Sequence, residues 1–172
     1  MSAAATPSKP GSACFRNRLS LPAVPVIIRA AEPRDLDALL GLLESLFSIE
    51  ADFEFDASKQ RAGLSLLIGG ACVLAAEREG RVVGMCTVQT VISTAEGGPV
   101  GWVEDVAVAP DCAGQGIGRE LLAQAEAWAA QHGLTRLQLL ADRNNAPALG
   151  FYGHLGWSRT DLVALRKRPG PR

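Results

Sequence analysis

The stretch Val103-Glu-Asp-Val-Ala-Val-Ala-Pro-Asp-Cys-Ala-Gly-Gln-Gly-Ile-Gly-Arg119 decides the fold. An apolar strand leads into a glycine-rich turn, and the turn leads directly into a helix. Gly114, Gly116 and Gly118 allow backbone conformations that a Cβ would hinder. The first amides of the helix have no partner inside it, and together with the helix dipole they attract an anion. The stretch predicts a site for a phosphate-bearing ligand; the alternative is a tight strand-to-helix turn that binds nothing.

Two common nucleotide-binding motifs do not fit this loop. A Walker A loop has Lys followed by Ser or Thr after its last glycine, whereas Gly118 is followed by Arg119-Glu120. A dinucleotide fingerprint has the spacing G-x-G-x-x-G. Counted from Gly116, the third glycine falls on Leu121, and counting from Gly114 fails in the same way. The ligand is therefore expected to be of another kind.

The loop resembles the cofactor loop of the GNAT N-acetyltransferases, and the resemblance continues beyond it. It includes the predicted helix 117–132, the predicted strand 134–141, the run 144–152 and the segment 155–157. It covers about residues 100–165, and more loosely 26–165. The family has Arg or Gln three residues before the first of its two glycines, here Gly116 and Gly118. This chain has Ala113 there, which removes one side-chain contact with the cofactor.

The resemblance implies acetyl-CoA as co-substrate and no metal. Backbone amides of the loop would hold the pyrophosphate, and those of the preceding strand would orient the pantetheine and polarise the thioester carbonyl. Asn145 would contact the pantetheine arm, and Tyr152 would act near the thioester sulfur as general acid. The implied cofactor-binding residues are Val106, Ala107, Val108, Gly114, Gln115, Gly116, Ile117, Gly118, Arg119, Asn145 and Tyr152.

The positions of Asn145 and Tyr152 agree with a shared site. They are seven residues apart, close to two helical turns, so both are expected to project from one face of a helix. A departing thiolate needs a proton or a hydrogen bond, which a phenol can supply. Tyr152 is the only tyrosine of the chain. The alternative is a half-buried aromatic side chain with a satisfied hydroxyl.

Two adjacent acids in the strand are candidates for the base that deprotonates an amine. Strict alternation over 102–108 would place Glu104 on one face and Asp105 on the other. A carboxylate within an apolar strand is costly to bury and tends to have a raised pKa, which suits a base near neutral pH. Members of the family often carry the base at the Glu104 position, so Glu104 is the predicted base. Asp105 is the alternative, and a structural role for both acids is the other interpretation.

The remaining pattern predicts an α/β fold in the order β-α-α-β-β-β-α-β-α-β. We expect a GNAT-like, mixed, mostly antiparallel central sheet of six to seven strands with helices on both faces. Pro33 opens the first helix, and an apolar stripe follows at helical spacing. A turn at 79–81 joins two strands. The last strand is predicted at 158–165, and the sequence contains no internal repeat.

Length and composition place limits on organisation and function. The 172 residues are 48% hydrophobic with a formal net charge of −1, which suggests neither a nucleic-acid nor a membrane partner. Residues 25–167 are predicted to form one acetyltransferase domain. Residues 1–24 are predicted to be a flexible extension, either a transit-like leader or dispensable, and 168–172 a disordered tail. The four cysteines show no metal-like spacing, which predicts a reducing, cytoplasmic location; Cys112, in the loop, is expected to be accessible.

The acceptor is predicted to be a small cationic amine. The linker 49–56 carries four acids and two phenylalanines, which would attract a cation and cover its apolar part, unless it is a solvated mobile loop. The predicted reaction is direct attack of the amine on the thioester without an acyl-enzyme. The alternatives are a protein or peptide acceptor and a non-catalytic acyl-CoA-binding module. The sequence is compatible with a homodimer and does not fix the oligomeric state.

Overall fold

Five strands form one sheet whose spatial order is their order along the chain. The computed structural model describes residues 24–50 and 52–170. The strands are β1 (Ile27–Ala30), β2 (Cys72–Arg78), β3 (Arg81–Ser93), β4 (Gly98–Val108) and β5 (Leu137–Leu139). The first four pair antiparallel, and β5 pairs parallel to β4. The helices are α1 (Leu36–Phe47), α2 (Ala57–Gly70), α3 (Ile117–Gln131) and α4 (Ala146–His154).

The β2–β3 hairpin forms where the sequence predicts it. Glu79 and Gly80 both have positive φ, of 52° and 74°, as a two-residue turn of the type that matches strand twist requires. The turn lies at the same end of the sheet as the end of β4, because Gly84 pairs with Val108. The hairpin tip therefore reaches the glycine-rich loop.

The start of α1 is tied to the sheet by one arginine. Arg29 of β1 donates to both carboxylate oxygens of Asp35, at 2.7 and 2.9 Å, and through Nε to Glu77 at 2.8 Å. The hydrogen bonds from Arg29 hold the pKa of the buried Asp35 carboxyl below its ordinary value. Asp35 also accepts from the amide of Glu32, which closes the turn Pro33–Asp35 that opens the helix. β1, β2 and α1 are thereby fixed relative to one another.

The core lies on both faces of β3. All residues of 83–88 are buried, although alternate side chains of a strand face opposite ways. A Cβ on Gly84 would lie 3.1 Å from Leu121 of α3, so α3 covers that face. Helix α1 packs on β3 and β4 and covers the other. Helices on both faces of a mixed sheet are as predicted.

The predicted last strand is wrong, because residues 158–165 form no strand. The described part of the sheet has five strands instead of six to seven. The apolar side chains of the segment remain in solvent, with Leu162 81% and Leu165 93% exposed. Arg166 instead donates to the carbonyl of Asp52 at 3.2 Å, and its guanidinium stands 5.0 Å from the ring centre of Phe53. A strand needs backbone hydrogen bonds to a neighbouring strand, and the backbone of 158–165 forms none with the described residues, although the outer edge of β5 is unpaired.

The chain termini are described only in part. Most of the predicted extension, residues 1–23, and the last two residues of the predicted tail lie outside the described residues. Residues 168–170 are exposed and have no regular secondary structure. Within the described residues, no helix is both long enough and apolar enough to cross a membrane.

Candidate active site

Strands β4 and β5 separate after three paired residues. Gly101, Trp102 and Val103 pair with Leu137–Leu139, and beyond Val103 strand β4 pairs only with β3. The amide of Ala109 donates to Val83 of β3 at 2.8 Å. The amide of Val108, one residue earlier on the extended chain, therefore points to the opposite, open edge. The structure thus contains a gap between β4 and β5, with a backbone donor facing it.

A β-bulge interrupts β4 at the two candidate acids. Thr87 pairs with Glu104 and Met85 pairs with Ala107, so Asp105 and Val106 together oppose the single residue between them on β3. Asp105 has a φ of 51°, in the left-handed region that Asp and Asn tolerate better than most residues. The strict alternation predicted for 102–108 is therefore wrong at this point, because the bulge adds a residue and changes the side-chain directions.

The bulge gives the two acids different surroundings. Asp105 is half-buried, and burial, followed by the charges of Glu104 and Glu50, raises the pKa of its carboxyl from 3.8 to about 6; a hydrogen bond with Thr87 opposes this shift. Glu104 is exposed and accepts from Nε2 of Gln89 at 3.0 Å. The environment expected of a base, a poorly solvated carboxylate, is found at Asp105.

Glu50, from the α1–α2 linker, lies close enough to Asp105 to affect its pKa. Burial raises the pKa of Glu50, and the negative charges of Asp142 and Asp52 raise it further. Burial raises the pKa of Tyr152 to about 12, with further contributions from Cys86 and Glu50. Because Glu50 contributes to the shifts of both Asp105 and Tyr152, it lies within electrostatic reach of each of them. We call Glu50, Asp105 and Tyr152 the acidic cluster.

The other linker acids do not belong to this acidic cluster, although the sequence predicted that all four would attract the acceptor. Asp56 caps α2, accepting from the amides of Ser58 and Lys59 at 3.0 and 3.2 Å. Glu54 is exposed. Phe53 stacks on Phe47 with 5.3 Å between ring centres. The linker therefore remains largely exposed, and Glu50 is its one acid that affects the pKa values of both Asp105 and Tyr152.

The glycine-rich loop has the predicted backbone geometry. Gly114 and Gly116 have φ of 72° and 86°, and Gly116 is the N-cap of α3. Gly118 lets the helices approach, since a Cβ there would lie 3.2 Å from the ring of Phe151 on α4. The Ile117 side chain is buried in the core, so only its backbone can serve a ligand. The loop thus presents the free amides of a helix start, as an anion site requires.

Asn145 stands at a helix end, whereas the sequence predicted that it shares a helical face with Tyr152. It is the N-cap of α4, and its Oδ1 accepts from the amide of Ala148 at 3.1 Å. Its conformation is not helical, so the two-turn argument does not apply to it. The cap uses the side-chain oxygen, and the Nδ2 group has no acceptor among residues 24–50 and 52–170. That group is the one able to bind the pantetheine arm.

Two arginines of the β2–β3 hairpin contact the loop, and sequence reasoning missed both. Arg81 makes a two-fold ion pair with Asp111, at 2.6 and 2.9 Å. Arg78 donates through Nη1 to Oε1 of Gln115 at 2.6 Å. Its Nε is buried and has no hydrogen-bond partner among the described residues. A buried, unpaired donor beside a phosphate-type loop fits a bound anion.

The loop cysteine is not accessible. Cys112 is 5% exposed, contrary to the expectation, because the turn Pro110–Cys112 directs its thiol toward the core. Cys72 and Cys86 are buried as predicted, and burial raises their thiol pKa values to about 11 and about 12. The described parts of the chain contain no group of three or more His, Cys, Asp or Glu side chains placed to hold a metal ion.

The open edge of β4 and the helix-start amides at its end are the arrangement implied by the resemblance to acyltransferases that use a coenzyme A thioester. The sequence model described as the acetyltransferase (GNAT) family matches residues 37–157, and the chain belongs to this family. It is an acetyl-CoA-dependent N-acyltransferase.

Relatives and solved structures agree with this assignment. The chain is 30% identical over 145 residues to aminoglycoside N(6′)-acetyltransferase type 1 of Stenotrophomonas maltophilia, covering 83% of this chain and 92% of that protein. It is 29% identical over 133 residues to aminoalkylphosphonate N-acetyltransferase of Salmonella typhimurium, covering 77% and 85%. The crystal structure of a possible acetyltransferase from Clostridium difficile 630 superposes with a TM-score of 0.76 at 18% identity, covering 85% and 99%.

Proposed function

We propose that this enzyme acetylates a primary amine of a small, multiply cationic acceptor by direct attack of the amine on the thioester. The observation that carries the proposal is the acidic cluster, where Glu50 lies within electrostatic reach of both Asp105 and Tyr152. Two carboxylates close enough to affect each other would attract a cation and raise its local concentration. The Cys86 thiol is not suited to form an acyl-enzyme. Burial raises its pKa to about 12 and so opposes formation of the thiolate.

Asp105 is the proposed base, with Glu104, the residue favoured by the sequence pattern, as the second candidate. A pKa of about 6 leaves Asp105 ionised at neutral pH, so its carboxylate can accept a hydrogen bond from the amine and take the proton that the nitrogen loses as it attacks the thioester. Glu104 is exposed and already bonded to Gln89. The proton taken from the amine then leaves to solvent.

Tyr152 is proposed to act on the leaving sulfur by hydrogen bonding. Its raised pKa of about 12 keeps the phenol protonated. An alkyl thiol has a pKa of about 8.5, so complete transfer of the phenolic proton to the thiolate would be uphill. The hydroxyl therefore stabilises the departing thiolate as a donor, and the predicted role of general acid becomes one of charge stabilisation.

The residues present fit the implied co-substrate. The amides of 114–119 would hold the pyrophosphate, the amide of Val108 would face the arm, and the Nδ2 group of Asn145 would donate to it. Bound acetyl-CoA supplies the activated acetyl group.

The charge of the acidic cluster favours the acceptor type of one of the two relatives over that of the other. An aminoglycoside carries several ammonium groups, which Glu50 and Asp105 would attract. An aminoalkylphosphonate carries an anionic phosphonate, which the same carboxylates would repel. We therefore expect an amino sugar or a polyamine-like molecule to be the better acceptor.

The test is the release of free CoA thiol from acetyl-CoA with a panel of amines. The panel holds an aminoglycoside, a polyamine, an aminoalkylphosphonate and a peptide with a free N-terminus. We expect release with a polycation, a loss of at least tenfold in Tyr152→Phe, and a higher KM for the amine in Glu50→Gln. Release with the peptide or the phosphonate alone would contradict the proposed acceptor class. Tight CoA binding without release for any amine would favour the non-catalytic binding module.

A further inference from the structure

We propose that Arg78 binds the pyrophosphate of the cofactor and supplies the side-chain contact that Ala113 cannot make. The inference rests on the proposed position of the pyrophosphate at the amides of 114–119. Arg78 ends β2 and lies 37 positions before Gln115 in the sequence, so no local motif points to it.

Hydrogen bonds fix the Arg78 guanidinium against the loop. Nη1 lies 2.6 Å from Oε1 of Gln115 and 3.9 Å from Sγ of Cys112. The Gln115 side chain is held in turn, since its Nε2 donates to the carbonyl of Asp111 at 3.2 Å. The amides of Gln115 and of the residues after it are those proposed to face the phosphate. The cation is therefore placed beside those amides and not directed into solvent.

The charge of Arg78 has no counter-charge in the described parts of the chain. No carboxylate oxygen of residues 24–50 or 52–170 lies within 4.0 Å of its nitrogens, and its Nε is buried without a partner. Its bonded partners, an amide oxygen and a thiol, are both neutral. A half-buried guanidinium without an anion is costly. A phosphate group would remove this cost, because the guanidinium fork can donate two parallel hydrogen bonds to it.

The neighbouring arginine differs in this respect. Arg81 is neutralised by its two hydrogen bonds to Asp111, so it braces the loop. Ala113, which is exposed, offers the loop no side-chain donor. Arg119 is exposed in the first turn of α3. Arg78 is thus the half-buried, uncompensated cation at this loop.

The experiment measures the affinity for CoA, 3′-dephospho-CoA and pantetheine by titration calorimetry, without any acceptor. Arg78→Met is expected to weaken the binding of CoA and dephospho-CoA by about tenfold or more, as for loss of a charge-assisted hydrogen bond. Pantetheine, which has no phosphate, is expected to bind as before. Arg136→Met is the matched control, since Arg136 pairs with Glu96 at 3.4 Å at the other end of β4. It is expected to leave all three affinities unchanged.

A second variant distinguishes direct binding of phosphate by Arg78 from a role of Arg78 in holding the loop in place. Ala113→Arg in the Arg78→Met background is expected to recover CoA affinity, because it returns a cation to the loop. Equal CoA binding by wild type and Arg78→Met would overturn the inference, and so would a parallel loss of pantetheine binding or a loss that spares dephospho-CoA. If the wild type itself fails to bind CoA, the proposed cofactor site fails before the inference about Arg78 is reached.

Discussion

At the scale of single residues, the conformation of Asp105 decides which acid can act as the base. Its positive φ comes with the bulge in β4, and the bulge separates its surroundings from those of Glu104. A sequence shows the two acids side by side but not which of them is desolvated. For that reason the candidate pair could be predicted, and the assignment within it could not.

The first prediction concerns the pH dependence of the reaction. A base with a pKa of about 6 is protonated below that pH, so kcat/KM should fall as pH decreases through 6 and stay level above it. Asp105→Asn should lower kcat/KM by at least about a hundredfold and abolish this acidic limb. Glu104→Gln is the matched control and should retain it. A limb that persists in Asp105→Asn and disappears in Glu104→Gln would make Glu104 the base.

The same substitution has an expected effect on stability. The folded state raises the pKa of Asp105 from 3.8 to about 6, so the folded state binds this proton more tightly than the unfolded state. The free energy of unfolding therefore decreases as pH rises from about 4 to about 6, and the charge destabilises the fold above that range. Two pKa units correspond to about 3 kcal/mol as an upper bound.

Asp105→Asn should accordingly raise the free energy of unfolding at pH 7 by about 1–3 kcal/mol, since Asn also tolerates the left-handed conformation. Urea unfolding at pH 7 and pH 4 measures this gain, which should be absent at pH 4. Glu104→Gln, at an exposed position, should change stability by less than about 0.5 kcal/mol. A loss of stability in Asp105→Asn at pH 7 would contradict the assigned desolvation.

At the scale of elements, the glycine-rich loop is fixed both by its own backbone and by the hairpin beside it. Gly116→Ala places a Cβ at a φ of 86°, which costs about 1–2 kcal/mol, and it disturbs the amides proposed to hold the pyrophosphate. We expect a lower melting temperature and a higher KM for acetyl-CoA. Gly63→Ala is the control, because Gly63 lies inside α2 where an added Cβ meets nothing within 4 Å. It should stabilise by up to about 1 kcal/mol. Equal KM values in both variants would argue against the loop as the pyrophosphate site.

The elements that depend on nearby residues were the ones that the sequence predicted well. The turn at Glu79 and Gly80, the start of α3 after Gly116 and the helical stripe of α1 all follow from local chemistry. The segment 158–165 has the composition of a strand, but forming a strand depends on backbone pairing with a strand elsewhere in the fold, which no local pattern reveals. The same limit applied to Arg78, whose partner Gln115 is distant in the sequence.

At the scale of the whole molecule, the C-terminal segment is attached to the domain mainly through the α1–α2 linker. Its side chains from 158 to 170 are exposed, and Arg166 contacts Asp52 and Phe53. Ending the chain at Trp157 should therefore change the free energy of unfolding by less than about 0.5 kcal/mol. The same change should alter the KM for the acceptor amine, because Glu50 belongs to the linker that Arg166 holds.

Thermal unfolding and amine kinetics of the shortened chain test this prediction, with Arg166→Ala in the full chain as the matched variant. Both variants should affect the acceptor in the same direction. A marked drop in melting temperature for the shortened chain alone would show that residues 158–165 support the sheet through contacts beyond those of Arg166.

The bulge at Asp105 also has a consequence for how such a chain evolves. Few residues tolerate its backbone conformation well, chiefly Gly, Asn and Asp. Each Asp codon is one transition away from an Asn codon and one from a Gly codon. With Asp105 as the proposed base, a single-nucleotide change removes the base while retaining the backbone geometry and, for Asn, relieving a buried charge. Selection on stability alone would favour that change. In a lineage without selection for acetyl transfer, one nucleotide substitution would therefore produce a more stable, inactive CoA-binding protein.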